Sequence, residues 1–129
     1  MQHRHVKSLP QGGITVVAVA KDTLAAINEE TWRSGPPPLV AELLDEFGRA
    51  LGAAPGPLVV DIRDTQFLDH ASVSVLFRLA RLVAEHNKRG FICCSSEVKE
   101  ILDACRLNTV CPTTTRLEEA MTELAVGQT

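Results

Sequence analysis

The chain has 129 residues, 45% of them apolar and 22% charged, with a formal net charge of -3. That length suits one domain with a real core, and the balance is globular, which excludes disorder, collagen and coiled-coil architectures. The acidic balance and the scarcity of aromatics (Trp32, Phe47, Phe67, Phe77 and Phe91, with no Tyr) exclude a general nucleic-acid binder, which needs a basic footprint and stacking rings.

Apolar runs such as residues 14–20 fall far short of the ~20 residues that cross a bilayer, so no membrane attachment is expected. Met1, Gln2, His3, Arg4 and His5 lack the apolar stretch of a signal peptide, and a cytoplasmic setting is expected. Residues 1–12 read as a flexible N-terminus, 13–125 as the domain and 126–129 as a flexible C-terminus. Residues 13–21 are rich in Val and bounded by Gly12 and Gly13 on one side and Lys21 and Asp22 on the other, which predicts a strand. Residues 24–27 read as a second short strand or as the start of a helical turn. Residues 28–38 hold Trp32, Gly35 and three consecutive prolines, and read as a rigid extended connection.

Val40, Leu43, Leu44, Phe47 and Leu51 fall on one stripe, which predicts a helix over 39–51. A Gly/Pro-rich loop ends it. Leu58, Val59, Val60 and Ile62 then form a nearly continuous apolar run, the mark of a strand covered on both faces. After a connection over 63–68, Val73, Leu76, Phe77, Ala80 and Val83 predict a long helix over 71–87, with Val75, Leu79 and Leu82 widening its face and Gly90 as its C-cap. Residues 91–94 read as another strand. Ser95, Ser96 and Glu97 offer an N-cap to a short helix running to Cys105, and Val110 lies in a candidate last strand. Thr115 and Glu118 have the spacing of a capping box before a final helix carrying Leu117, Ala120, Met121 and Leu124. Strands separated by helical patterns imply an α/β layer fold with right-handed crossovers.

Cys93, Cys94, Cys105 and Cys111 contain no C-x-x-C pair and read as buried thiols, with Cys93 and Cys94 pointing to opposite sides of their strand. His3, His5, His70 and His86 do not cluster in sequence, so no metal and no cofactor are expected. Gly12 and Gly13 precede a strand rather than open a helix, which is not a phosphate loop, and no G-x-S-x-G elbow occurs. Polar groups concentrate instead at one predicted helix start, in Asp69, His70, Ser72 and Ser74. Free amides there favour an anion or a phosphorylated side chain. The plainer alternative is that Asp69 or His70 starts the helix and the serines fill small spaces.

Residues 59–76 resemble the central signature of the STAS domain, the fold of anti-sigma factor antagonists. Asp61 and Ile62 match its strand end, and Phe67, Leu68 and Asp69 match the approach to its helix. The order of strand and helix over 90–107 and the closing helix over 115–124 agree, so the resemblance covers roughly 13 to 125. It implies an α/β, STAS-like fold: a mixed sheet of four to five strands with about four helices. Where the family has Asp-Ser-Ser-Gly, this chain has Asp69, His70, Ala71 and Ser72. The family's phosphoacceptor, the second serine, aligns with Ala71, which has no hydroxyl; Ser72 and Ser74 are the nearby alternatives. The stretch from Thr23 to Pro38 is also longer than usual.

Three readings follow. In the first, the resemblance implies a partner-switching regulator that binds an anti-sigma factor or serine kinase-like protein through Asp69, His70, Ala71, Ser72, Val73 and Ser74, with phosphate on Ser72 or Ser74 as a gate. In the second, the same fold is a non-phosphorylated scaffold or adaptor in a larger signalling assembly. In the third, His70 with Asp69, or a thiol near a helix start, for which Cys94 before Ser95 and Ser96 is the only candidate, does chemistry; no enzyme is expected. Direct nucleic-acid binding is not expected, and the chain is expected to be a monomer or a weak homodimer through a sheet edge.

Overall fold

A computed structural model of the chain describes residues 5–126. Its centre is the run the sequence marked as doubly covered. Strand β3 (Leu58–Asp61) buries Leu58 and Val60 against one layer and Val59 against the other. It lies in the middle of a five-stranded sheet of order β1-β2-β3-β4-β5. Strand β2 (Ile14–Val19) pairs parallel to β3, which pairs parallel to β4 (Gly90–Cys93), which pairs parallel to β5 (Thr113–Thr114). Only β1 (Val6–Gln11) is antiparallel, against β2.

Strand β1 corrects the reading of residues 1–12 as a flexible terminus. Its six residues pair from Val6↔Val19 to Gln11↔Ile14. The hairpin closes through Gly12 (φ +58) and Gly13 (φ +84), the doubly left-handed turn that matches strand twist. Pro10 is tolerated because β1 is an edge. His5 is also held: its amide donates to Glu46 Oε1 at 2.9 Å, and its ring lies 2.8 Å from Thr23 Oγ1 and 3.1 Å from Glu42 Oε1. His3 lies outside the described residues.

Residue 21 does not extend β2. Helix α1 (Lys21–Ala25) starts there and buries Thr23 and Leu24, which settles the 24–27 stretch as helical turn. Helix α2 (Glu29–Trp32) then replaces part of the expected extended connection. Asn28 Oδ1 accepts from the Thr31 amide at 3.0 Å, and Thr31 Oγ1 accepts from the Asn28 amide at 3.0 Å, closing a reciprocal cap. Pro38 then stands at the first position of α3 (Pro38–Ala53), where a missing amide costs nothing.

Helix α4 (His70–Glu85) carries Asp69 as its N-cap. Gly90 is not its C-cap. Asn87 takes the left-handed position (φ +56), and Gly90 opens β4, where a Cβ would sit 3.0 Å from Val83 Cγ1 and 3.2 Å from the Leu58 carbonyl. Helix α5 (Ser96–Ala104) is capped by Ser95 Oγ, which accepts from Val98 N at 3.3 Å. Val110 is not in the last strand: it is exposed after a tight turn (Leu107–Thr109), and β5 follows it. Helix α6 (Leu117–Val126) begins at Leu117, so its cap position falls on Arg116 rather than Thr115. The turn is tied by Thr114 Oγ1, which accepts from Arg116 N at 3.2 Å. Val126 ends α6 instead of opening a tail; residues 127–129 lie outside the described residues.

Helices α1, α3, α4 and α5 cover one face of the sheet, and among the described residues α6 alone covers the other through Ala120 and Leu124 against Ile14, Val16, Val59 and Cys93. Cys94 sits on the opposite face from Cys93, as the alternation of a strand requires. Among the described residues, no helix is long and apolar enough to cross a membrane.

Candidate functional site

The loop after β3 delivers the chain to the start of α4, and the sequence marks the same stretch. Asp61 closes β3 in a two-pronged bond with Arg63, which donates from Nε at 3.0 Å and Nη2 at 2.9 Å. That hydrogen bond raises the Arg63 guanidinium further above its ordinary value. The Thr65 amide donates to the Ile62 carbonyl at 3.0 Å, and Ser95 Oγ donates to the Thr65 carbonyl at 3.3 Å, so the loop is pinned to β3 and to the start of α5. Leu68 is buried beneath it. Phe67, one residue earlier, is 74% exposed. Removing an aromatic ring of that size from water is worth about 2 kcal/mol, which the fold leaves unused.

The first turns of α4 divide the six predicted site residues. Asp69 Oδ1 accepts from the Ala71 amide at 2.9 Å, the N-cap role the plainer reading gave it. His70 and Ser74 are exposed, Ala71 is half-buried, and Ser74 Oγ donates back to the His70 carbonyl at 3.1 Å. Ser72 and Val73 face inward. Ser72 is only 1% exposed, and its hydroxyl donates to the carbonyls of Leu24 (3.0 Å) and Ile27. It is a core hydroxyl that fastens α4 to the end of α1, so the structure does not present it to a partner or a kinase.

Two grooves flank this helix start. One, of about 420 Å³, runs between α1 and the 64–69 loop and is lined by Asp22, Leu24, Ile27, Asp64, Thr65 and Phe67, among others. The second, of about 400 Å³, lies between α2 and α4 and is lined by Glu29, Trp32, Arg33, His70, Ala71 and Ser74. Sequence reasoning missed Trp32, Arg33, Asp22 and Thr65 as members of this surface. The Asn28-x-x-Thr31 spacing was the one signal that could have placed α2.

The thiols do not join it. Cys93, Cys94 and Cys111 are all buried, and burial pushes their thiols up to about 11, about 12 and about 12 respectively. A neutral, enclosed Cys94 is not the activated nucleophile that the third reading requires. Cys105, the C-cap of α5, is exposed, which corrects its reading as a buried thiol.

Strand β3 leading through a short connection into α4 is the strand-to-helix order that the 59–76 signature implies. The family model for the STAS domain matches residues 11–120. The chain belongs to the STAS domain family. Solved STAS-like structures superpose on it at low identity. An anti-sigma factor antagonist from Mycobacterium paratuberculosis aligns with TM-score 0.66 and 16% identity over 93% of this chain and 92% of that one. A putative anti-sigma factor antagonist from Thermotoga maritima gives 0.65 and 15% over 93% and 94%. RsbS of Moorella thermoacetica gives 0.59 and 21% over 92% and 96%. These likenesses establish the fold. No curated protein matches the sequence. The STAS-like fold expected from the sequence, a mixed sheet of four to five strands with about four helices, is present with five strands and, among the described residues, six α-helices rather than four.

Proposed function

We propose that this STAS domain is a regulatory protein-binding module that engages an anti-sigma factor or serine kinase-like partner in partner switching. The observation that carries the reading is the outward arc of Phe67, His70, Ala71 and Ser74 at the start of α4. Phe67 is 74% exposed although Leu68, beside it, reaches the core. An aromatic ring ringed by polar groups is the composition of an interface anchor. Binding is by surface complementarity, and the domain contributes no catalytic group to it.

Within this reading, phosphate control runs through Ser74 alone. Ala71 offers no hydroxyl, and the Ser72 hydroxyl is enclosed between two carbonyls. A phosphate on Ser74 adds about -1.5 to -2 charges in the groove that holds Glu29 and Arg33, and breaks the bond to the His70 carbonyl. The second reading, a constitutive adaptor without phosphate, is favoured by Ala71 itself.

The test uses the intact chain and a Phe67→Ser/His70→Glu variant, each immobilised and exposed with ATP to the same lysate of the source organism. An ATP-binding protein retained by the wild type and lost by the variant is the expected result. Equal retention by both overturns the assignment of this surface. Phosphosite mapping of the recovered chain separates the two readings: phosphate on Ser74 marks a switch, and an unmodified chain that holds its partner marks an adaptor.

A further inference from the structure

The groove between α1 and the 64–69 loop differs in chemistry from the one beside α2. Its apolar surface is Ala25 and the exposed ring of Phe67, which stands as one wall, while Leu24 and Ile27 lie buried beneath. Three carboxylates, Asp22, Asp64 and Asp69, line it against the single ammonium of Lys21. Among the described residues, neither Asp22 nor Asp64 is in an ion pair. Asp69 spends one oxygen on its cap and keeps the other. A second observation is independent of these charges. Thr65 lines the same groove, is only 6% exposed, and its hydroxyl has no hydrogen-bond partner. A buried hydroxyl left unpaired costs about 1–3 kcal/mol, which a ligand supplying a donor recovers.

We infer that this groove receives an arginine side chain presented by the protein partner. The inference rests on the binding reading above and adds the partner's chemistry to it. An anion is opposed by three carboxylates, and an apolar side chain leaves them desolvated. An arginine satisfies each element. Its methylene stem lies along Ala25 at the foot of the Phe67 ring. Its guanidinium carries five donors and no acceptor, which suits carboxylate oxygens and the Thr65 hydroxyl. Its flat face suits the ring of Phe67. A lysine provides the charge without the fork or the stacking, and is the weaker substitute.

The probe is N-acetyl-L-arginine amide, titrated into the isotopically labelled full chain and followed by amide chemical shifts. The expected result is saturable, millimolar-range binding with shifts confined to Asp22, Ala25, Asp64, Thr65, Phe67 and their neighbours. The lysine analogue should bind several-fold more weakly, the uncharged glutamine analogue should not bind, and ~0.5 M salt should weaken the arginine analogue several-fold. The Asp22→Asn/Asp64→Asn variant, checked for a wild-type circular dichroism spectrum, should lose the response. No shift, an equal response to the glutamine analogue, or shifts centred on other acidic surfaces such as Glu118 and Glu119 overturns the inference. With a partner in hand, failure here and failure of the binding reading are distinguishable. A partner lost by Phe67→Ser/His70→Glu but kept at unchanged affinity by Asp22→Asn/Asp64→Asn removes the arginine and leaves the interface. A partner kept by both variants removes the interface as well.

Discussion

Placing aspartate at a serine near a helix start is the usual way to imitate phosphorylation, and in this chain the two available serines should answer in opposite ways. Ser72 is 1% exposed, and its hydroxyl donates to the Leu24 and Ile27 carbonyls. Ser72→Ala removes the donor. Leu24 O keeps the Ile27 amide at 3.1 Å, so one carbonyl is left short, and the cost is about 1–2 kcal/mol. Ser72→Asp is far worse. It puts a buried carboxylate against two carbonyl oxygens, acceptor facing acceptor. An uncompensated buried charge costs about 3–5 kcal/mol, a large part of the ~5–15 kcal/mol that holds a domain together. Ser74→Asp sits on the exposed side of the same helix and should change stability by less than about 0.5 kcal/mol. Urea unfolding followed by far-UV circular dichroism measures all three, with differences read from the midpoint at constant slope. A Ser72→Asp protein as stable as wild type would refute the buried hydroxyl contact and return Ser72 to the surface.

Gly90→Ala should destabilise the domain by about 1–3 kcal/mol in the same assay, because the new methyl meets Val83 Cγ1 at 3.0 Å and the Leu58 carbonyl at 3.2 Å, and the carbonyl is fixed in the sheet. At neutral pH a thiol reagent should modify Cys105 fast in the native protein and the other three cysteines only after denaturation, read by mass spectrometry. Those three also set an alkaline limit. The folded chain holds their protons more tightly than the unfolded chain, so their contribution is complete below the ordinary thiol value of about 8.5. It should be lost as pH rises from there toward about 11, where Cys93 begins to ionise in the fold. Phe67→Ser should leave the urea midpoint nearly unchanged while weakening partner binding at least tenfold, measured by calorimetry; a large loss of stability would mean the ring packs inside.

The elements that bury side chains were legible. The continuous run of β3 and the stripes of α3 and α4 record burial directly in residue type. Strand β1 was not, because it buries only Val6 and owes its place to backbone pairing, which leaves no apolar alternation. Helix α2 is four residues long and is held by a cap rather than a stripe. At the site, the position of the loop was legible from its motif, but the division between the serines needed geometry. Part of that geometry was present in the pattern. Ser72 lies three and seven residues before Val75 and Leu79, on the face that widens the core stripe. Ser74 lies four before the exposed Arg78. Reading the serines on the same helical wheel as the leucines would have separated them.

The helix that the prolines follow has one more consequence. It carries the only tryptophan in the chain, and that indole stands half-buried in the groove beside Ala71 and Ser74. The protein therefore contains its own optical probe, set against the first turn of α4. Its emission will report a ligand, a phosphate or a partner arriving at that helix start, with no label to add and no second indole to subtract.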